Sequence, residues 1–334
     1  MDGRWTEGRG GLVLAMGLLA IMAWVSYLMP IAAYPDGNHG LCFPSPAEWT
    51  ISPLLSVIVN YALLVGSALG LIAANEAYGF IHSSKMVYSS LFLVLCGAFP
   101  WLTEGVNTST LLVCVNVVSI RMLFSADSHK NSSEAMFSLA TLLSIGSTVQ
   151  YSFALYLPVW LLCAAAVKAL TFRSFLAFLL GIAAPYWILL GFGIITPADF
   201  SMPRIGMLFN NIGGRTDFML LLIGIGTVAF LFILLALTNA VRLYGLTSRR
   251  RAMNGALVIL GGCTVALMIL DFNNLLAYVA TLCLAFGVQA AHLSNFSRMR
   301  RPWIPTAIIA AACLGLLTAF MASSPAWPFN SYLL

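Results

Sequence analysis

The feature that most limits this chain is a series of apolar runs with almost no charge inside them. They lie at about 11–29, 52–73, 86–101, 109–124, 135–150, 154–170, 174–195, 218–241, 253–270, 275–292 and 303–321. A bilayer core of about 30 Å takes roughly 20 helical residues to cross. Composition agrees: of 334 residues 60% are hydrophobic and 8% charged, whereas a soluble domain is about one quarter charged. Too few polar side chains exist to cover a water-facing surface. The expected fold is all-α, a polytopic transmembrane helix bundle of about eleven spans forming one membrane domain over 1–334.

The stretch 135–170 decides the parity of everything after it. It reads as a tight hairpin turning at Gln150-Tyr151-Ser152, with one long tilted helix plus a re-entrant piece as the competing reading. Charge tests the count. With the N-terminus cytoplasmic and the C-terminus outside, 14 of the 16 basic residues fall in inner loops and only Arg204 and Arg215 in outer ones, as the positive-inside rule requires. The first run has the alternative of a signal peptide ending near Ala32-Ala33. At about 19 residues it is long for one, and it reads as a retained helix. Trp49, Trp101, Trp303 and Trp327 sit at span ends as an interfacial belt. Gly66-x-x-x-Gly70 allows close helix approach, most simply within this bundle.

Motifs are sparse. No Walker A sequence, dinucleotide fingerprint, zinc-helix histidine pair or nucleophile elbow occurs, so no cofactor or metal set is assigned. Six of the seven cysteines fall inside apolar runs, where a thiol acts as a small hydrophobe. The arginines at 249–251 and 298–301 flank spans and form no separate basic domain, so nucleic acid is not an expected partner. No acid or base is expected near a span centre. The buried polar residues are expected to be the neutral Asn60, Asn116, Gln150, Asn239 and Gln289, held by interhelical hydrogen bonds.

The outer loops gather Asp36, Glu48, Glu104, Asp199, Asp217 and Asp271 with Arg204 and Arg215. If the bundle draws them together, Asp36, Glu104 and Asp271 are the candidate catalytic carboxylates. Arg204 and Arg215 are then the candidate phosphate-binding residues, because guanidinium forks match phosphate oxygens. The plain alternative is a set of solvated loop charges.

The run from Val113 to Gly193 resembles a family of multi-pass inner-membrane proteins of Bacteroidota. The likeness rests on a polar stretch, a short helix pair, the turn Thr171-Phe172-Arg173-Ser174 and a helix carrying Gly181-Ile182-Ala183-Ala184-Pro185-Tyr186. The basic SRRRAMN loop and AHLSNFSRMRRPW fit it too. The resemblance covers most of 85–320 and implies a bacterial inner-membrane setting, with no activity to carry over.

Three functions follow in order of fit. The first is an outer-face enzyme handling a polyprenyl-phosphate-linked glycosyl substrate, since Asp36 falls just after the first span as acids do in membrane glycosyltransferases. The second is a structural or assembly subunit with envelope protein partners. The third, a lipid or small-molecule transporter or flippase, is weakened by the lack of ionisable groups at mid-span. Membrane lipid is a partner in all three.

Overall fold

The computed structural model describes residues 9–28, 40–81, 86–126, 131–201, 203, 216–242, 247–295 and 315. Ten apolar helices account for most of them: α1 Arg9–Leu28, α2 Pro53–Tyr78, α3 Val87–Gly97, α4 Thr108–Ser125, α5 Ser132–Val149, α6 Ser152–Ala166, α7 Phe172–Gly191, α8 Thr216–Arg242, α9 Ser248–Leu270 and α10 Val279–Asn295. A seven-residue 3-10 segment, Phe272–Tyr278, joins α9 to α10. Each helix coincides with one of the first ten apolar runs; of the run at 303–321 only Gly315 is among the described residues. Among the described residues, seven helical segments are long and apolar enough to cross a membrane, the seventh being Phe272–His292. The protein is therefore an all-helical, multi-pass membrane protein, and no strand occurs among the described residues.

Local chemistry sets the helix ends. Pro53 opens α2, where its missing N–H costs nothing. Gly79, in the left-handed region at φ 62°, closes the same helix with its N–H on the Asn75 carbonyl at 2.7 Å, a conformation a Cβ would oppose. Thr171 and Ser174 form a capping box on α7. Asn107 caps α4, accepting from the Thr110 N–H at 2.9 Å.

The middle of the chain turns as a hairpin. Gln150 is extended (φ −151°, ψ 122°), which ends α5 and folds α6 back against it. Gly146 permits the close approach, because a Cβ there would overlap the Phe153 ring. The breaks at 150–152 and 271–278 lie at one end of the bundle, which also holds the turns 100–107 and 40–43. Lys168, Arg173 and Arg249–Arg251, at the other ends of α6, α7 and α9, belong to the opposite end.

At the centre runs α10, packed against α3, α4, α8 and α9. Gly287 lets α3 come close: a Cβ there would lie 2.8 Å from the Tyr88 carbonyl oxygen. The five expected buried amides are all buried, none more than 2% exposed. Asn116 donates to Thr281 Oγ1 at 3.0 Å and accepts from Trp160 Nε1 at 3.1 Å. Asn239 donates to Gln289 Oε1 at 3.0 Å, and Gln289 to Asn254 Oδ1 at 3.1 Å. These bonds tie α4, α6, α8 and α9 to α10, as dry apolar surroundings demand of polar groups.

Candidate functional site

The densest polar cluster forms where the two helix breaks meet. Asp271 ends α9, and its Oδ1 accepts from the Tyr151 hydroxyl at 2.7 Å. Its Oδ2 accepts from the Tyr278 hydroxyl at 2.6 Å and from Asn274 Nδ2 at 3.0 Å. Asn274 also donates to the Tyr151 oxygen. Its own Oδ1 accepts from Gln150 Nε2 at 3.3 Å. The chain places these groups for local reasons. Asn274 leaves the helical region (φ −110°, ψ 24°), so the 3-10 segment brings Asp271, Asn274 and Tyr278 to one side. Gln150 and Tyr151 come from the α5–α6 turn opposite.

Asp271 is fully buried, which corrects the expectation of a solvated outer-loop acid. Its position at a span end predicts water, but the 3-10 segment returns the chain into the bundle and encloses the carboxylate. Two ionisable residues are thus buried beside the five amides, Asp271 and, at 2% exposed, His292, and both lie at the ends of the Phe272–His292 segment rather than at its centre. With both oxygens taken by three donors, Asp271 holds the junction together rather than facing a substrate.

Backbone caps the end of α5 beside this junction. The N–H groups of Leu41, Cys42 and Phe43 donate to the Ser147 and Thr148 carbonyls at 3.3, 3.1 and 2.9 Å, satisfying the open end of α5. Gly40 fits because a Cβ there would collide with the carbonyl oxygens of Phe43, Thr148 and Val149. Ser201 joins the same knot: its N–H donates to Leu41 O at 3.0 Å and its hydroxyl to Gly40 O at 2.7 Å. Beside it, Ser147 gives its proton to Ser144 O and so accepts from the Tyr186 hydroxyl at 2.5 Å. Burial, and then the nearby Asp199 charge, push the Cys42 thiol up.

The other expected residues are distributed as follows. Asp199 caps its own turn, accepting from the Thr196 N–H at 2.7 Å and hydroxyl at 2.9 Å, and these bonds hold its carboxyl below the usual range. Glu104 is exposed in the turn before α4, where the protein around it still raises its carboxyl by desolvation. It is not among the partners of Asp271. Asp36, Arg204 and Arg215 lie outside the described residues, as does the Asp217 side chain. Tyr151, Asn274 and Tyr278 are absent from the expected site. Their signal in sequence is two short polar interruptions, QYS and DFNN, each between apolar runs. Among the described residues no three His, Cys, Asp or Glu side chains gather as a metal-ligand set.

No family model, curated protein or solved structure matches the chain.

Proposed function

We propose that the protein is an enzyme at the outer face of a bacterial inner membrane, acting on a substrate linked to a polyprenyl phosphate, with a glycosyl group as the transferred part. One observation carries this reading. Gly40, Leu41 and Ser201, which donates to the carbonyls of the other two, sit on the α5 end beside the Asp271 cluster. Asp36 precedes this knot by four residues and Arg204 follows it by three. Extended chain spans at most about 3.6 Å per residue, so both are tethered within roughly 14 Å and 11 Å of a common point. In this reading Asp36 is the reacting carboxylate, Arg204 and Arg215 grip the lipid phosphate, and Asp271 keeps the floor rigid. Eleven spans with the N-terminus inside, and kinship with the Bacteroidota family, belong to the same proposal. The basic side chains clustered opposite the knot support that orientation.

The test is lipid mass spectrometry on the full chain purified from its native membrane. The wild type is expected to carry an isoprenoid phosphate, and the Arg204→Ala/Arg215→Ala double variant to lose it. No such lipid enriched over an unrelated membrane protein, or equal retention by the double variant, rejects the reading. A C-terminal alkaline phosphatase fusion reports the orientation, being active only if that end is outside.

The transport reading draws on the buried Asp271 between two broken helices, an arrangement transporters use. Against it stands α10 itself. From Leu282 to Val288 no amide, hydroxyl or charge interrupts it, so the central helix offers no polar side chain over the roughly 12 Å between Thr281 and Gln289, which favours the enzyme.

A further inference from the structure

Helix α8 is held mainly from one side. Leu221, Ile225, Val228, Phe232, Leu235 and Asn239 are each at most 3% exposed and form the side that meets α10, its main neighbour. Thr227 is not on that side, because at 3.6 residues per turn it lies about 200° round from Ile225. Beyond it, Ile223, Phe230 and Leu237 are 57%, 66% and 64% exposed. Gly315, from a distant part of the chain, sits on Thr227. It is helical, and a Cβ built on it would lie 3.0, 3.2 and 3.4 Å from Cγ2, Cβ and Oγ1 of Thr227, the three nearest atoms outside its own stretch of chain.

The sequence around Gly315 fits such a contact. It belongs to the run 303–321, in which the small residues Ala307, Ala311, Gly315 and Ala319 recur at every fourth position. On a helix that spacing makes one stripe, the pattern that lets membrane helices approach closely. Gly224, three residues before Thr227 and so on the same side of α8, is small and buried as well. Depth agrees too. Arg242 and Asn295 lie at one end of the bundle, because α9 runs away from that end and α10 returns to it. Thr227 is 15 residues in from Arg242, or about 22 Å along the helix. Gly315 is 12 residues on from Trp303, or about 18 Å for a helix. The two depths match to within one turn. A segment lying along the membrane surface could not bring Gly315 that deep.

We infer that the Gly224–Thr227–Leu231 side of α8 is the docking surface for the chain's own last apolar run, 303–321, which crosses the membrane antiparallel to α8 with its stripe of Ala307, Ala311, Gly315 and Ala319 against it. The chain can reach this seat without a second copy. Eight residues lead from Asn295 to Trp303, enough to extend about 29 Å, and α8 adjoins α10. Docked there, the run gives α8 protein on two sides and leaves Ile223, Phe230 and Leu237 to lipid. The inference is independent of the proposed reaction, since Asp36, Arg204 and Arg215 take no part in it.

The experiment is disulfide trapping in the full chain in its native membrane, with the linked peptides identified by mass spectrometry. Thr227→Cys/Gly315→Cys is expected to link within one chain on mild oxidation, because the two Cβ positions lie near the spacing of a disulfide. Ile233→Cys/Gly315→Cys puts the α8 thiol on the opposite flank and should link about tenfold less or worse, its Cβ atoms being too far apart. Leu231→Cys/Ala311→Cys should link and Leu231→Cys/Ala319→Cys should not. That second comparison reads the antiparallel direction, and it decides the matter if the first pair does not fold. Links that join two chains into a dimer overturn the inference in favour of a second copy on this side of α8. Absence of any link, or equal linking at Ile233, overturns it outright.

Discussion

Two apolar segments of similar length, Phe172–Gly191 and Phe272–His292, have opposite surroundings. Of their membrane-length stretches 22% and 94% respectively are buried inside the protein. The first, α7, lies against α5 along one seam and turns Phe172, Leu180 and Trp187 outwards. The second carries the 3-10 segment and α10 and is enclosed on all sides. Each adjoins a turn with an aspartate, Asp199 after α7 and Asp271 before α10, and the aspartates differ in the same sense as the helices. Asp199 is exposed and, among the described residues, bonds within its turn; Asp271 is buried and joins two breaks that are 120 residues apart in the chain. Apolar sequence excludes water from both helices. What replaces water, lipid or protein, depends on partners elsewhere in the chain.

Substitutions probe this contrast. Asp271→Leu should have the largest effect, leaving Tyr151, Tyr278 and Asn274 without their acceptor. A loss of roughly 3–5 kcal/mol is expected, read as a much lower thermal midpoint or the absence of a monodisperse peak in detergent. Gly287→Val should follow, since its Cβ meets Tyr88 backbone, at about 1–3 kcal/mol. Gly181→Val challenges the contrast from the other side. Although α7 is peripheral, a Cβ at Gly181 would strike the Phe137 carbonyl and Ala140 on α5, and a comparable loss would show that one seam of α7 is packed as tightly as the core. Asp199→Ala should cost a small part of the thermal midpoint at neutral pH. The carboxyl is held low in the folded protein, so its contribution is present above the ordinary carboxylate range and disappears as pH falls through the lowered value; the gap between wild type and variant should close in acid. Trp187→Leu, 80% exposed on the outward side of α7, should change stability by less than about 0.5 kcal/mol. A larger drop would mean that a protein surface, rather than lipid, covers this side.

Much of the architecture was legible in the sequence because lipid imposes a length and a composition that need no tertiary knowledge. The Gln150 turn was visible as three polar residues between two short runs, and the five buried amides as polar groups with no water to reach. The site was harder to read. Asp271 looked like a loop acid because position along a span says nothing of a 3-10 segment folding back into the bundle. Nothing in the sequence marks the Tyr151 and Tyr278 hydroxyls, since only the meeting of two distant breaks gives them a common acceptor. Asp199 looked like one more solvated loop charge, and only its bonds to Thr196 show that the turn holds it.

The knot of Gly40, Leu41 and Ser201 has a consequence for how the protein is made. Its Ser201–Gly40 bond joins residues 161 apart, and the α5 carbonyls it covers are themselves about 100 residues downstream of the first loop. At synthesis rates of about 5–20 residues per second, roughly 8–30 s pass between translation of Gly40 and arrival of the serine that completes its contacts. Gly40 must wait for its partners while the intervening helices are threaded in, so this knot closes late.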